Sequence, residues 1–212
     1  MILFLDTVSP SPEFCVIKDD KVIQSIQILN KNSKKISDCI IPAYLKLHNH
    51  LNMYDKIEKL VVCTGPGSFT ALRVGIAFMY GISITKNIPL IGIPCTTLLE
   101  FSTQNLERKK TLMIICSSND QNFIAVSSNG SEKYLIEKID IKHYSTKFDC
   151  KKYSRCVSNF KLSSDIMKIF GTNICQQIDL AEIVRLNLNK ILLVPKKLFI
   201  EPIYISDNKI LN

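Results

Sequence analysis

The residues of this chain that could do chemistry are few and scattered. Eight cysteines stand at positions 15, 39, 63, 95, 116, 150, 156 and 175. No two have the C-x-x-C spacing, which argues against a zinc knuckle. Cys15, Cys63 and Cys116 each lie in or at the end of an apolar run, as buried thiols of a reducing compartment do. The histidines are His48, His50 and His143. Two rings spaced H-x-H on a helix point about 200° apart, so His48 and His50 do not converge on one metal. They read as surface or interface residues. Asp6, at the end of an opening apolar strand, is where a carboxylate could hold a metal-bound water, but Asp6-Thr7 reads first as a turn former. No convincing nucleophile–base pair is found.

Glycine marks the one dense segment. Five of the seven glycines lie between 65 and 92. Gly65 and Gly67 let the chain turn sharply from a strand into a helix. Gly75 and Gly81 each cost about 1 kcal/mol against Ala inside that helix, so keeping both points to close approach of another backbone. Ala71 and Gly75 are four apart, as are Ala77 and Gly81, and each pair leaves a small-residue notch on one face. Three readings compete. A phosphate cradle would use the helix N-terminus, but the segment is neither G-x-x-x-x-G-K-[ST] nor G-x-G-x-x-G. A buried core helix accounts for apolar residues on all sides. A helix with one face on its own sheet and another on a second protein also accounts for Arg73 among apolar neighbours.

The elements that must position this segment follow from periodicity. Ile2–Leu5, Phe14–Ile17 and Val22–Leu29 are predicted strands of a meander, joined by the Val8–Pro12 turn and the polar turn Lys18–Lys21. Ile36, Ile40, Ala43, Leu47 and Leu51 recur at helical spacing, with Pro42 inside. Ile57–Cys63 is a strand, Ser68 can cap a helix through Thr85, Ile88–Ile93 is a strand and Thr96–Asn105 a helix. The order β-β-β-α-β-α-β-α predicts a mixed sheet with helices on its faces, the layout of a ribonuclease-H-like domain. The pattern partly restarts with strands at Leu112–Cys116, Asn122–Ser127 and Lys133–Ile136, with a turn at Asn129-Gly130. Residues 138–158 read as irregular and basic; Ser163–Phe170, Leu180–Leu186 and Ile191–Val194 are weaker elements, and Phe199–Ile205 resembles a last strand. Two β-rich halves predict a duplicated α/β architecture: 1–104, and a smaller, degenerate 105–212.

Composition sets the class. The chain has 212 residues, 46% hydrophobic and 22% charged, which excludes a disordered or collagen-like polymer. Its +8 charge comes from 27 basic against 19 acidic residues, yet only four of the 27 are Arg, the residue with the fork suited to phosphates and bases. Abundant Lys, Ile and Asn share AT-rich codons, so base composition explains much of the charge without a dedicated nucleic-acid site. No apolar run reaches the ~20 residues of a membrane span. The opening Met-Ile-Leu-Phe-Leu-Asp has no basic region, so a cytoplasmic protein without a secretory signal is expected.

The run Gly65-Pro66-Gly67-Ser68-Phe69-Thr70, followed by Arg73, Gly75 and Gly81, resembles the signature of the TsaB (YeaZ) family. Ile2–Thr7 is similar to that family's opening strand with Asp-Thr, Pro89–Ile93 to the strand after its glycine helix, and Glu201-Pro202-Ile203-Tyr204-Ile205 to its C-terminal Glu-Pro-x-Tyr-Leu. The likeness is dense over 57–99 and thin between 105 and 198. Lys35 stands near a usual His, Cys116-Ser117-Ser118 replaces an Asp-Ala-Arg turn, and Ala71 replaces a Gly.

The resemblance implies an actin/Hsp70-like ATPase fold and a non-catalytic relative of TsaD, the protein that transfers threonylcarbamoyl to N6 of adenosine 37 in tRNA. It also implies TsaD as partner, the ATPase TsaE as a further one, tRNA reached through the complex, and a homodimer when alone. The residues agree in part. The H-x-x-x-H spacing of TsaD-like enzymes does not occur, and the Val8–Pro12 turn, with two prolines and no glycine, makes a poor phosphate cradle. No catalytic, metal or cofactor residues are therefore expected. Gly65, Pro66, Gly67 and Ser68 are expected to form a structural turn. Ile40, Ala43 and Leu47 on the first helix, with Ala71, Leu72, Arg73, Gly75, Ile76 and Met79 on the second, are the expected partner interface. The rival readings are a nucleotide-binding enzyme of the same superfamily, a metallopeptidase-like protein, and an RNA-binding module using Lys142, Lys147, Lys151, Lys152, Arg155 and Lys161.

Overall fold

The structure, a computed structural model, describes residues 1–29, 35–53, 56–103, 111–118, 121–127, 134–139, 153, 155–164, 167, 175–194 and 199–205. Strands β1 (Ile2–Asp6), β2 (Glu13–Lys18) and β3 (Lys21–Gln27) form an antiparallel meander. The two-residue turn Asp19-Asp20 has φ of 48° and 55°, the doubly left-handed form that suits hairpin twist and that Asp tolerates. Next come α1 (Ile36–Leu51), β4 (Lys59–Cys63), α2 (Phe69–Lys86), β5 (Leu90–Ile93) and α3 (Cys95–Phe101). Strand β4 runs parallel to both β1 and β5, giving the order β3-β2-β1-β4-β5.

The second half repeats this plan. Strands β6 (Thr111–Cys116), β7 (Asn122–Ser127) and β8 (Tyr134–Ile139) form another antiparallel meander. Strand β9 (Arg155–Ser158) lies parallel to β6, and β10 (Gln176–Gln177) parallel to β9, in the order β10-β9-β6-β7-β8. Helices α4 (Leu180–Leu186) and α5 (Leu188–Leu192) follow. Asp179 caps α4, accepting from the backbone N–H of Ala181 at 2.9 Å and of Glu182 at 3.1 Å.

Three readings need correction. Residues 138–158 are not irregular throughout, because β9 lies within them and completes the second sheet. Phe199–Ile205 is not a strand but an unladdered segment, tied to the first sheet where the Ile203 N–H donates to the Thr64 carbonyl at 2.8 Å. Ser68 stands at the N-cap of α2, yet its side chain makes no capping bond. Gln104, the expected division, lies outside the described residues, as do Asn129-Gly130, His143 and Lys142, Lys147, Lys151 and Lys152.

Period-two alternation assigns the two faces of each sheet to different cores. Leu3, Leu5, Phe14, Val16, Leu60 and Val62 pack under α1 and α2. Phe4, Cys15, Ile17, Val61, Cys63, Ile91 and Ile93 face the other way, into a central layer shared with Met113, Ile115, Phe123, Ala125 and Val157 of the second sheet. Helices α3, α4 and α5 supply Leu98, Val184 and Ile191 to that layer. Leu112, Ile114, Ile124 and Cys156 form a third cluster on the far face. Pro42 is the seventh residue of α1 and lies on its exposed side, so the helix continues past it. Among the described residues no helix is long and apolar enough to cross a membrane.

The two notches of α2 face opposite ways. A Cβ on Gly75 would lie 2.7 Å from Thr7 Cγ2 and 2.9 Å from Thr7 Oγ1, whereas one on Gly81 would meet nothing within 4 Å. Gly75→Ala is therefore expected to destabilise by about 1–2 kcal/mol, overpacking outweighing the helix propensity gained. Gly81→Ala is expected to stabilise by about 0.5–1 kcal/mol. Urea unfolding midpoints that move in opposite directions check both.

Candidate functional site

The first part of the site lies where the two halves meet at the ends of β1, β4 and β6. Asp6, 3% exposed, accepts from the backbone N–H of Val8 at 2.7 Å and of Ser9 at 3.2 Å, which makes it the turn former at the strand end. Burial pushes its carboxyl above the ordinary range, against the lowering effect of its Ser9 and Val8 hydrogen bonds. Asn159 reaches across from the second half. Its amide donates to Ser9 Oγ at 2.9 Å and to the Cys116 carbonyl at 2.9 Å, while its oxygen accepts from the Cys116 N–H at 2.8 Å. The Ser68 N–H, at the head of α2, donates to Ser117 Oγ at 2.9 Å. Each is a buried bond between a loop of one half and a loop of the other, or a brace for one. These polar groups are used on each other.

Carboxylates gather beside this junction. Glu13 is the register partner of Asp6 across β1 and β2. Burial pushes Glu13 up to about 7, with the neighbouring charges of Asp6 and Asp179 adding to the rise. Burial likewise raises Cys15 well above an ordinary thiol and Cys116 to about 11, and Cys95 is raised first by its hydrogen bond with Cys63. Inert core thiols are the result. Among the described residues no group of three His, Cys, Asp or Glu side chains could hold a metal ion.

The second part is the outer face of α1 and α2. Phe14 on β2, Tyr44 on α1 and Phe78 on α2 form an aromatic trio with centroids 5.2–6.0 Å apart, which fixes the two helices to the sheet and to each other. Above it runs an open, largely apolar groove of about 510 Å³, lined by Tyr44, Leu45 and His48 from α1 and Ala77, Phe78, Gly81, Ile82, Thr85 and Lys86 from α2. Ile41 (54%), Leu45 (50%) and Ile84 (76%) are exposed on these same two helices. At the head of α2 the Arg73 guanidinium lies 3.9 Å from the Phe69 ring centroid, and its Nε donates to Tyr204 Oη at 2.8 Å. Tyr204 stacks on Phe69 at 4.7 Å, so the segment after Phe199 straps the start of this helix.

A family model described as TsaD, tRNA N6-adenosine threonylcarbamoyltransferase, matches residues 27–149. The chain belongs to this family, and the TsaB (YeaZ) proteins are among the relatives it matches. The tRNA threonylcarbamoyladenosine biosynthesis protein TsaB of Bacillus subtilis (strain 168) is 31% identical over 94 residues, 43% of this chain and 40% of that protein. The match thus spans under half of the curated relative. YeaZ from Pseudomonas aeruginosa superposes with a TM-score of 0.60 at 11% identity, over 96% of this chain and 99% of that one. An uncharacterized protein with similarity to peptidase YEAZ, from Pseudomonas aeruginosa, superposes at 0.63 and 11% identity, over 97% and 99% of the two chains. The fold is the duplicated actin/Hsp70-like one that the TsaB resemblance implied.

Within that family frame, Gly65, Pro66, Gly67 and Ser68 form the turn from β4 into α2, with Gly65 at φ 111°. The residues of the expected partner interface lie mostly inward. Ile40, Ala43, Leu47, Ala71, Leu72, Gly75, Ile76 and Met79 are all buried against the chain's own sheets, and only Arg73 is exposed. Both faces of α2 are apolar, so periodicity could not say which one the sheet takes. Leu45, Ala77, Gly81 and Ile84 are exposed on the outward side of α1 and α2, and the Ala77–Gly81 spacing was visible in the sequence. Asn159 and Ser117 gave no signal in sequence, because their role depends on loops far apart in the chain.

Glu13 gives the site a pH signature. Its folded pKa of about 7 lies above the ordinary 4.5, so the folded state holds the extra proton between those values. Glu13 therefore lowers stability as pH rises from about 4.5 to 7. Glu13→Gln is expected to flatten that slope and to be more stable than wild type at pH 8 by about 1 kcal/mol, a figure discounted for partial solvation. Urea unfolding at pH 5, 6, 7 and 8 checks it.

Proposed function

We propose that this protein is a non-catalytic scaffold in threonylcarbamoyladenosine formation on tRNA, docking a TsaD paralogue on the outer face of α1 and α2. The observation that carries this reading is the exposed apolar groove with the Ala77–Gly81 notch on its floor, in a chain of the TsaD/TsaB family. A helix pair bared in this way accepts a second helix pair at short range, since small residues permit close axial approach. The mutual engagement of Ser9, Asn159, Ser68 and Ser117 supports the non-catalytic part, because those groups are committed within the chain. On this reading TsaD carries the chemistry, TsaE and tRNA meet the chain through the complex, and the reaction is cytoplasmic. Residues 1–104 form the docking unit and 105–212 brace it. The nucleotide-binding, metallopeptidase and RNA-binding readings gain no specific support from the described residues.

The test uses the groove and not the core. Gly75 faces Thr7, so a large residue there perturbs folding. Gly81→Arg fills open space and places a charge on the groove floor. It is expected to weaken the complex with the TsaD paralogue by about 30-fold or more in titration calorimetry, with a melting temperature no lower than that of wild type. Binding within twofold of wild type by a folded Gly81→Arg protein overturns the assignment. A second copy of this chain as the only partner affected does the same.

A further inference from the structure

The inference concerns two thiols on the far side of the molecule from the docking face and does not depend on it. Cys156 lies on β9 and Cys175 immediately precedes β10. The parallel register pairs Gln176 with Val157 and Gln177 with Ser158, so Cys175 and Cys156 occupy the next step of the same ladder. Their Sγ atoms are 2.9 Å apart. Neighbouring strands are spaced about 4.8 Å, inside the Cα separation of about 4.4–6.8 Å that a disulfide spans. The sulfurs have about 0.9 Å left to close before the bonded S–S distance of about 2.0 Å. Cys175 is half-buried, which leaves it open to a small reagent, whereas Cys15, Cys63, Cys95 and Cys116 are buried.

We propose that Cys156 and Cys175 form a reversible dithiol–disulfide pair that pins β10 to β9. The hydrogen bond from Cys156 lowers the Cys175 thiol below its ordinary range, opposite to the rise burial gives Cys15 and Cys116, so Cys175 is the attacking sulfur. The oxidant is a small-molecule disulfide. The Cys175 thiolate attacks one of its sulfurs, breaks the S–S bond and expels one thiolate, leaving a mixed disulfide. Cys156 gives its proton to that thiolate and attacks Cys175 Sγ, expelling the second small thiol. The two protein thiols lose two electrons and two protons, and the reagent disulfide gains both as two thiols.

The bond would matter because β10 is only two residues long. The ladder ends where the Ile178 N–H donates to the Ser158 carbonyl at 2.7 Å, and Asp179 then caps α4. Joining the sulfurs anchors the entry to that helix and its share of the central layer.

The test treats the full-length wild-type protein with oxidised glutathione, then alkylates with iodoacetamide and maps peptides without reduction. The expected product is a cross-linked peptide joining Cys156 to Cys175, lighter by two hydrogens and reversed by dithiothreitol. Hydrogen exchange at Ile178 is expected to slow by about 10-fold in the oxidised form. Four results overturn the proposal: both cysteines still alkylated, glutathione left standing on Cys175, a bond joining either to another cysteine, or the expected bond with no change at Ile178.

Discussion

Helix α2 lies as close to β1 as it does because residue 75 has no side chain. Thr7 fills the space a Cβ would take, and its buried Oγ1 has no hydrogen-bond partner. Much else follows from this approach. With α2 seated low, Leu72, Ile76 and Met79 reach the sheet, and Phe78 comes within 5.6 Å of Phe14. The opposite side of the helix, with Ala77 and Gly81, is left outside.

The same helix thus carries two glycines for two different reasons. One is a steric requirement of the fold. The other is open to solvent and costs helix propensity with no close contact inside the chain to require it. Such a cost without a local return fits the docking role proposed for this side. Its setting agrees, since the exposed apolar residues Ile41, Leu45 and Ile84 share this side, while the other α2 face is consumed by the core.

Much of the fold could be read from residue spacing. Helix α1 falls where the spacing of Ile36, Ile40, Ala43, Leu47 and Leu51 puts it, and the Gly65–Ser68 turn and the meander of the first half stand as their patterns indicate. The misses share a cause. Strand β9 is four residues long, too short for alternation to declare itself, and it exists because β6 offers it an edge. Phe199–Ile205 has a strand-like composition, but α2 and Thr64 take its side chains and backbone before any ladder forms. For the candidate site, an all-round apolar helix has no amphipathic direction, so its inner and outer faces could be told apart only by Gly75 meeting Thr7.

The central apolar layer has a mechanical meaning. Residues of both sheets and of α3, α4 and α5 share it, and Phe4, Val61, Ile115 and Val157 within it are fully buried. Hinging the lobes apart would bring that layer into contact with solvent, at about 25 cal/mol for every Å² uncovered. Here the shared layer makes separating the two sheets costly, so the helices on the outer side rest on a firmly packed support.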